Sequence, residues 1–213
     1  IQIASLLVAL RAKGESVDEI TGFVKAMREK MVEIKLISPA IDMCGTGGDS
    51  SGSFNISTTA AFIVAGAGIK VAKHGNRSMT SKSGSADVLQ SLGININKSN
   101  QESIIEIEKI GLSFLFAPSY HPAMKFAINA RKILAIRTVF NILGPLCNPA
   151  RVQSQAMGVY DKSIARKQVS VLKKLGSKNV MVFSGHDGLD EISTTSKTTI
   201  SQMIDGNEIK DFT

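Results

Sequence analysis

The sequence holds no tryptophan, only 5% aromatic residues and two cysteines. No apolar run approaches the roughly 18 residues that a membrane-spanning helix needs. Each scarcity removes a class of function. The short apolar runs argue against a membrane span. Few aromatics leave little for bases to stack on, the lysines are scattered, and no RRM, KH, zinc-finger or helix-turn-helix signature is present. The net charge of +7 is therefore read as a basic pocket for a small polyanion and not as a nucleic-acid surface. Cys44 and Cys147 show no motif spacing and read as two reduced thiols of a cytoplasmic protein. His74, His121 and His186 form no zinc spacing. No basic flank precedes the apolar N-terminal stretch, which reads as an amphipathic helix and not as a signal peptide. The chain begins without Met and stops at "IKDFT" with no closing helix or cap, so it reads as a fragment lacking both ends.

What is present suits a folded α/β protein. At 43% hydrophobic, 213 residues can bury a sizeable core in one large domain or two small ones. Ile3, Leu6, Leu7 and Leu10 recur at helical spacing. Ser16 followed by Glu19 is a capping box opening a second helix, with the stripe Val17, Ile20, Val24, Met27 and Met31. This element ends before Pro39. From Ile41 onward short β-like runs alternate with helical ones, which predicts βαβ units and a mostly parallel sheet. "STTAAFIVAGAG" reads as a buried helix, and Ser99 with Glu102 forms a second capping box. Residues 121–143 read as helical in period, and "GPLCNPA" breaks the chain. The expected organisation is a helical domain from 1–38 and 119–149, and an α/β domain from 39–118 and 150–213 that is incomplete at its C-terminus.

Three stretches carry chemistry. Asp42 to Thr59, "DMCGTGGDSSGSFNISTT", has four Gly, seven Ser or Thr, and no Lys or Arg. It lies where ligands bind in α/β sheets, at a strand end running through a Gly turn into a helix start. Gly45, Gly47 and Gly48 allow close backbone approach, and Asn55, Ser57, Thr58 and Thr59 stand at the helix start, where free N–H groups suit an anion. The pattern is neither a Rossmann fingerprint nor a P-loop. Read alone, it is equally a plain loop with an N-cap. The second stretch, "KVAKHGNRSMTSKSGSAD", supplies Lys73, His74, Asn76, Arg77 and Lys82, of which the lysines and the arginine could pair with phosphates; its alternative is a solvated basic loop. The third, "DGLDE", offers Asp187, Asp190 and Glu191. Mg²⁺ takes one or two such carboxylates together with substrate phosphates, although an acidic loop is usually just solvated.

The motifs "DMCGTGGD", "FNIST", "KHGNRSMTSKSGSAD", "HPAMKFAINARK", "RTVFNILGPLCNPA" and "DGLDE", in that order, resemble the anthranilate phosphoribosyltransferase family. The resemblance covers most of the chain. It implies a nucleoside phosphorylase-like fold, a small helical domain plus a larger α/β domain, and a homodimer through the helical part. It implies transfer of phosphoribosyl from phosphoribosyl pyrophosphate to the amine of anthranilate in tryptophan biosynthesis, with Mg²⁺. By position, Gly45, Gly48 and Asp49 match the family's glycine-rich loop, and Ser53 stands where the family usually has threonine. Asn55, Ile56, Ser57 and Thr58 match the diphosphate segment. Lys73 and Ser85 match further phosphate contacts, and Gly75 and Arg77 further substrate-binding positions. Asn76 and Arg131 match the anthranilate contacts, with His74 near by. Ser57, Asp190 and Glu191 match the metal positions. Lys73 and Arg131 are the expected catalytic pair, Lys73 neutralising charge on the leaving group and Arg131 holding the anthranilate carboxylate. A pyrimidine nucleoside phosphorylase of the same fold, and a non-catalytic relative binding anions or nucleic acid, are the competing readings.

Overall fold

The computed structural model describes residues 1–47, 52–78 and 83–213. Two helices come first, α1 (Gln2–Lys13) and α2 (Val17–Lys30). The capping box at α2 is formed: the Glu19 N–H donates to Ser16 Oγ at 3.2 Å, and the Ser16 N–H donates to Glu19 Oε2 at 3.0 Å. Two free helix donors are thereby satisfied, which fixes where α2 starts. Ile20 and Val24 of its stripe are buried. In α1 only half of the stripe is covered, since Leu7 and Leu10 are buried while Ile3 and Leu6 stay exposed.

The rest alternates strands and helices: β1 (Ile41–Gly45), α3 (Ile56–Gly66), β2 (Val71–Gly75), α4 (Ser85–Ser91), α5 (Asn100–Lys109), β3 (Leu112–Phe116), α6 (Ala117–Tyr120), α7 (Lys125–Leu134), α8 (Phe140–Leu143), β4 (Ser154–Gly158), α9 (Ala165–Lys174), β5 (Asn179–Gly185), β6 (Thr198–Met203) and β7 (Lys210–Phe212). They form one sheet in the order β3-β2-β1-β4-β5-β6-β7. The first five strands are parallel, and β6 and β7 are antiparallel additions at one side. The mostly parallel sheet and the helical part are as the alternation implies. No helix among the described residues is long and apolar enough to cross a membrane.

Register sorts the side chains. Ile41 is level with Val71 and with Ser154, and Lys73 is level with Phe114. Because successive side chains alternate between faces, Met43, Lys73, Gly75 and Phe114 share one face. Asp42, Cys44, Ala72 and His74 share the other. Phe114 packs with Ala86 and Leu89 of α4 on the first face. On the second, Ala72 and Leu115 pack with Ile107 of α5, and Cys44, Met157 and Val182 join Ile20, Val24, Val169 and Leu172 of α2 and α9 in the largest core cluster.

Two helical expectations change. The segment 121–143 is not one helix: α7 stops at Leu134, Ala135 turns left-handed at φ 48°, and the chain resumes helix only at Phe140. A left-handed residue ends the α-helical hydrogen-bond ladder, and the 3.6-residue period of apolar side chains carries no record of it. The helix read as buried, α3, covers only Thr58 and Ala61 fully, while Phe62 and Ile63 remain exposed.

Candidate active site

In an open parallel sheet ligands bind beyond the carboxyl ends of the strands, where the strand order reverses. Here the chain winds outward from β1 to β2 and β3, then returns to place β4 on the other side of β1. The switch point is thus the crevice between β1 and β4, and both strands end in glycine, Gly45 level with Gly158. The acidic loop after β5 folds into this place. A Cβ on Gly158 would stand 1.7 Å from the Asp190 carbonyl oxygen, and one on Gly45 would stand 2.9 Å from Asp190 Oδ2. The absence of side chains at these two positions is what lets Asp190 reach the crevice. Its Oδ2 accepts the Gly47 N–H at 2.8 Å, tying the acidic loop to the β1 turn.

On the α3–α4 face, Lys73 is 2% exposed. Its Nζ donates to the Met43 carbonyl and to Ser57 Oγ, the latter at 3.2 Å. Burial lowers its pKa, and the charges of Asp42, Cys44 and Glu191 oppose that shift. The cation is therefore already aimed at the start of α3. That helix begins at Ile56 after Asn55, whose side chain makes no cap bond. The Thr58 hydroxyl donates to Ser85 Oγ at 3.0 Å, drawing the first turns of α3 and α4 together. Lys73, Ser57, Thr58, Ser85, Gly45, Gly75, Asp190 and Glu191 thus lie about the carboxyl ends of β1 and β2. Ser53 is exposed on the segment leading into α3. Gly48 and Asp49, and Lys82 of the basic stretch, lie outside the described residues.

The remaining candidates divide. The His74 ring is on the opposite face from Lys73, with its Nε2 3.2 Å from Nε2 of His121. Burial first, then His121, pushes its pKa down to about 3, so the ring is neutral at ordinary pH. Asn76 is exposed just beyond β2, its Oδ1 accepting the Arg77 N–H at 2.8 Å. Arg77 pairs with Asp87 at 2.9 Å and lies over the Phe116 ring at 5.8 Å. Arg131 sits on α7 with its guanidinium over the Phe140 ring at 5.4 Å, and burial lowers its pKa. Among the described residues, no hydrogen bond or ion pair joins Arg131 to the strand-end cluster. Asp187 parts from Asp190 and Glu191: its carboxylate accepts the Ser193 and Thr195 hydroxyls at 2.6 and 2.8 Å and folds its own loop.

Beneath the site lies a polar layer that the motifs do not announce. Asp42, fully buried, accepts the His74 N–H at 3.1 Å and the Asn148 amide at 2.8 Å. Asn148 also donates to the Ala72 carbonyl, and Gln155 Nε2 donates to the Pro145 carbonyl. Segment 144–150 is thereby fastened under β1 and β2. Burial raises the Asp42 pKa to about 6, against the stabilising pull of Asn148 and Lys73. The only trace of this in the sequence is a set of polar residues inside otherwise apolar stretches.

Lys73 stands between the hydroxyl of Ser57, to which it donates, and the Asp190–Glu191 pair, whose Glu191 charge acts on it. Among the described residues no three His, Cys, Asp or Glu side chains cluster as a closed metal cage. A hydroxyl and two carboxylates are nonetheless a donor set that suits Mg²⁺ when substrate oxygens complete the shell.

Residues 38–213 match the model of the glycosyl transferase family a/b domain, and residues 1–31 match that family's helical bundle domain. Among curated relatives, the anthranilate phosphoribosyltransferase of Clostridium kluyveri (strain ATCC 8527) is 55% identical over 99% of this chain and 63% of its own length. That of Bacillus caldotenax is 52% identical over 96% of this chain and 85% of its own length. Among solved structures, anthranilate phosphoribosyltransferase from Saccharomyces cerevisiae in complex with PRPP and Mg aligns with a TM-score of 0.87 and 34% identity, over 99% of this chain and 59% of that one. The chain thus spans about 63% of the length of the first of these relatives.

Proposed function

Because the chain belongs to the anthranilate phosphoribosyltransferase family, within the glycosyl transferases, we propose that its protein transfers the phosphoribosyl group of phosphoribosyl pyrophosphate to the amine of anthranilate. The products are N-(5-phosphoribosyl)anthranilate and pyrophosphate. The bond from ribose C1 to the pyrophosphate oxygen breaks, a C1–N bond forms, and the amine gives up one proton. The single observation that carries this reading is that Lys73, bonded to the Met43 carbonyl and Ser57, and Asp190, bonded to the Gly47 N–H, flank the carboxyl end of β1 from its two sides.

Anthranilate brings a neutral amine, so the difficulty lies in the departing pyrophosphate and in aim. The α3 start offers backbone N–H groups together with Ser57 and Thr58 hydroxyls to the diphosphate, with Ser85 beside them. Lys73 places a buried positive charge against negative charge that grows as the bond breaks, where low dielectric strengthens the interaction. Gly45, Gly75 and, outside the described residues, Gly48 and Asp49 complete the donor side. Ser57, Asp190 and Glu191 would hold Mg²⁺. When bound, that ion would supply further neutralisation of the leaving group. Asn76 and Arg131 take anthranilate, the Arg131 guanidinium gripping its carboxylate in two parallel hydrogen bonds so that the amine faces C1.

The same reading makes residues 119–149 part of the helical domain with 1–38. In support, the Arg11 guanidinium donates to the Arg137 carbonyl, and Arg28 donates twice to the Leu146 carbonyl. It also includes a cytoplasmic homodimer paired through the helical part, for which Ile3, Leu6 and Val8 of α1 are exposed apolar surface.

The deciding experiment follows anthranilate fluorescence in the protein at its natural length, on adding phosphoribosyl pyrophosphate with and without Mg²⁺. Mg²⁺-dependent loss is the expected result. No loss, with phosphorolysis of pyrimidine nucleosides instead, would replace the transferase reading.

A further inference from the structure

The chain leaves β2 at Gly75 and enters α4 at Ser85, and the two ends of this connection touch. A Cβ on Gly84 would lie 2.3 Å from the Ser78 nitrogen and 2.9 Å from the Asn76 carbonyl oxygen. The Ala86 N–H donates to that same Asn76 oxygen at 3.2 Å. So close a crossing of two backbones needs glycine, and it needs something to hold it shut.

One side chain reaches both ends. Asp87 Oδ2 accepts the Gly84 N–H at 2.8 Å and the Ser78 N–H at 3.2 Å, while Oδ1 accepts from Arg77 Nη1 at 2.9 Å. Three donors, two from the outgoing end and one from the returning end, thus converge on a single carboxylate. We propose that Asp87 is a positioning residue of the substrate site: it clasps the neck of the β2–α4 connection and so sets where Asn76, on the anthranilate side, and Ser85, on the diphosphate side, stand. The inference rests on the transferase reading for what those two residues bind.

Three features support the clasp over a simple helix cap. A cap satisfies amides of its own helix end, whereas Ser78 and Arg77 lie on the other side of the neck. The carboxylate is held in its charged form, its pKa lowered first by the Gly84 N–H and then by Ser78 and Arg77. Charge-assisted hydrogen bonds of this kind are the stronger ones. Arg77, in turn, is steadied by the Phe116 ring beneath it. Among the described residues Asp87 makes no hydrogen bond to Lys73 or Ser57, so its action on the site is through the backbone it holds.

The test uses the protein at its natural length, with Asp87→Ala, Asp87→Asn and Arg77→Ala beside the wild type. Two quantities are measured: amide hydrogen exchange of the peptide spanning 76–86 without ligands, and KM for each substrate. For Asp87→Ala the expected result is at least tenfold faster exchange in that peptide with β1 and β4 unchanged. KM for phosphoribosyl pyrophosphate should rise at least tenfold through Ser85, and KM for anthranilate should rise at least threefold through Asn76. Asp87→Asn keeps one accepting oxygen and should fall between. Arg77→Ala removes one of the three donors at an exposed position and should loosen the same peptide two- to fivefold, which keeps the test open if Asp87→Ala fails to fold. Unchanged exchange in the peptide overturns the proposal. So does an unchanged KM for either substrate. If the wild type shows no transfer at all, it is the functional reading that falls, and the exchange data alone then decide on the clasp.

Discussion

The two cations proposed for catalysis stand in opposite kinds of surroundings. Lys73 is inside a strand, 2% exposed, and bonded to the Met43 carbonyl and the Ser57 hydroxyl. Arg131 is on α7, beside the left-handed break at Ala135; among the described residues its guanidinium makes no hydrogen bond and lies over the face of the Phe140 ring. One is fixed by the sheet before any substrate arrives. The other keeps its five N–H donors for a ligand. The difference fits the two jobs: charge on a departing pyrophosphate is best met by a preorganised group, while an incoming carboxylate needs a fork that can close on it.

The largest break in this comparison is Lys73→Ala. It removes the preorganised charge and leaves the Ser57 hydroxyl and Met43 carbonyl without their partner. Activity with saturating anthranilate should fall by about 100- to 1,000-fold, the range seen when one electrostatic stabiliser is lost. Steady-state assays that vary phosphoribosyl pyrophosphate would show it; a loss confined to anthranilate KM would contradict the separation of the two subsites.

The second prediction probes what lies under Lys73. Asp42 is carried at a pKa of about 6 in the fold by burial, against about 3.9 for an ordinary Asp. The folded state therefore holds this proton more tightly than the unfolded chain. Its contribution to stability is complete below about pH 4 and is lost as pH rises through 6. Relative to Asp42→Asn, which does not titrate, the wild type should lose roughly 3 kcal/mol between about pH 3 and pH 7 and then run parallel. Urea melts of both proteins across that range would measure it. A difference that is flat with pH would place the Asp42 proton elsewhere.

How far the sequence could be read differs along the same line. Both capping boxes, the βα alternation and the helix start after Asn55 were local signals, and local signals survive folding. The hairpin of β6 and β7 was also local but went unread: Asp205 and Gly206 turn at φ 51° and 72° between two strands, a pairing that Asp-Gly commonly marks. Asp42 and Asn148 are different. Their bond spans 106 positions, and nothing near either residue names the partner. Asp187 and Asp190 show the reverse failure, since neighbours in sequence take separate tasks once Ser193 and Thr195 claim the first.

Arg131→Ala is the third break. It should raise KM for anthranilate by about 10- to 100-fold, the loss expected for hydrogen bonds to a charged group, and leave KM for phosphoribosyl pyrophosphate near the wild-type value. Arg131→Lys keeps the charge but not the planar fork, and should recover only part of the loss. Equal effects on both substrates would join the two cations into one subsite.

The smallest effect sharpens the contrast most. Phe140 gives Arg131 an aromatic face and no hydrogen bond, so Phe140→Leu keeps an apolar side chain in place while removing only the ring's attraction for the cation. Such a contact contributes about 0.5–1 kcal/mol at a partly exposed site, which corresponds to a rise of about two- to fivefold in anthranilate KM. Among the described residues the Lys73 ammonium lies over no ring and its bonds are to Met43 and Ser57, so the donor KM should not move. If Phe140→Leu instead weakened the donor, the helical segment and the strand ends would be coupled more tightly than their separate contacts allow. If it changed neither, Arg131 would be held by its helix alone.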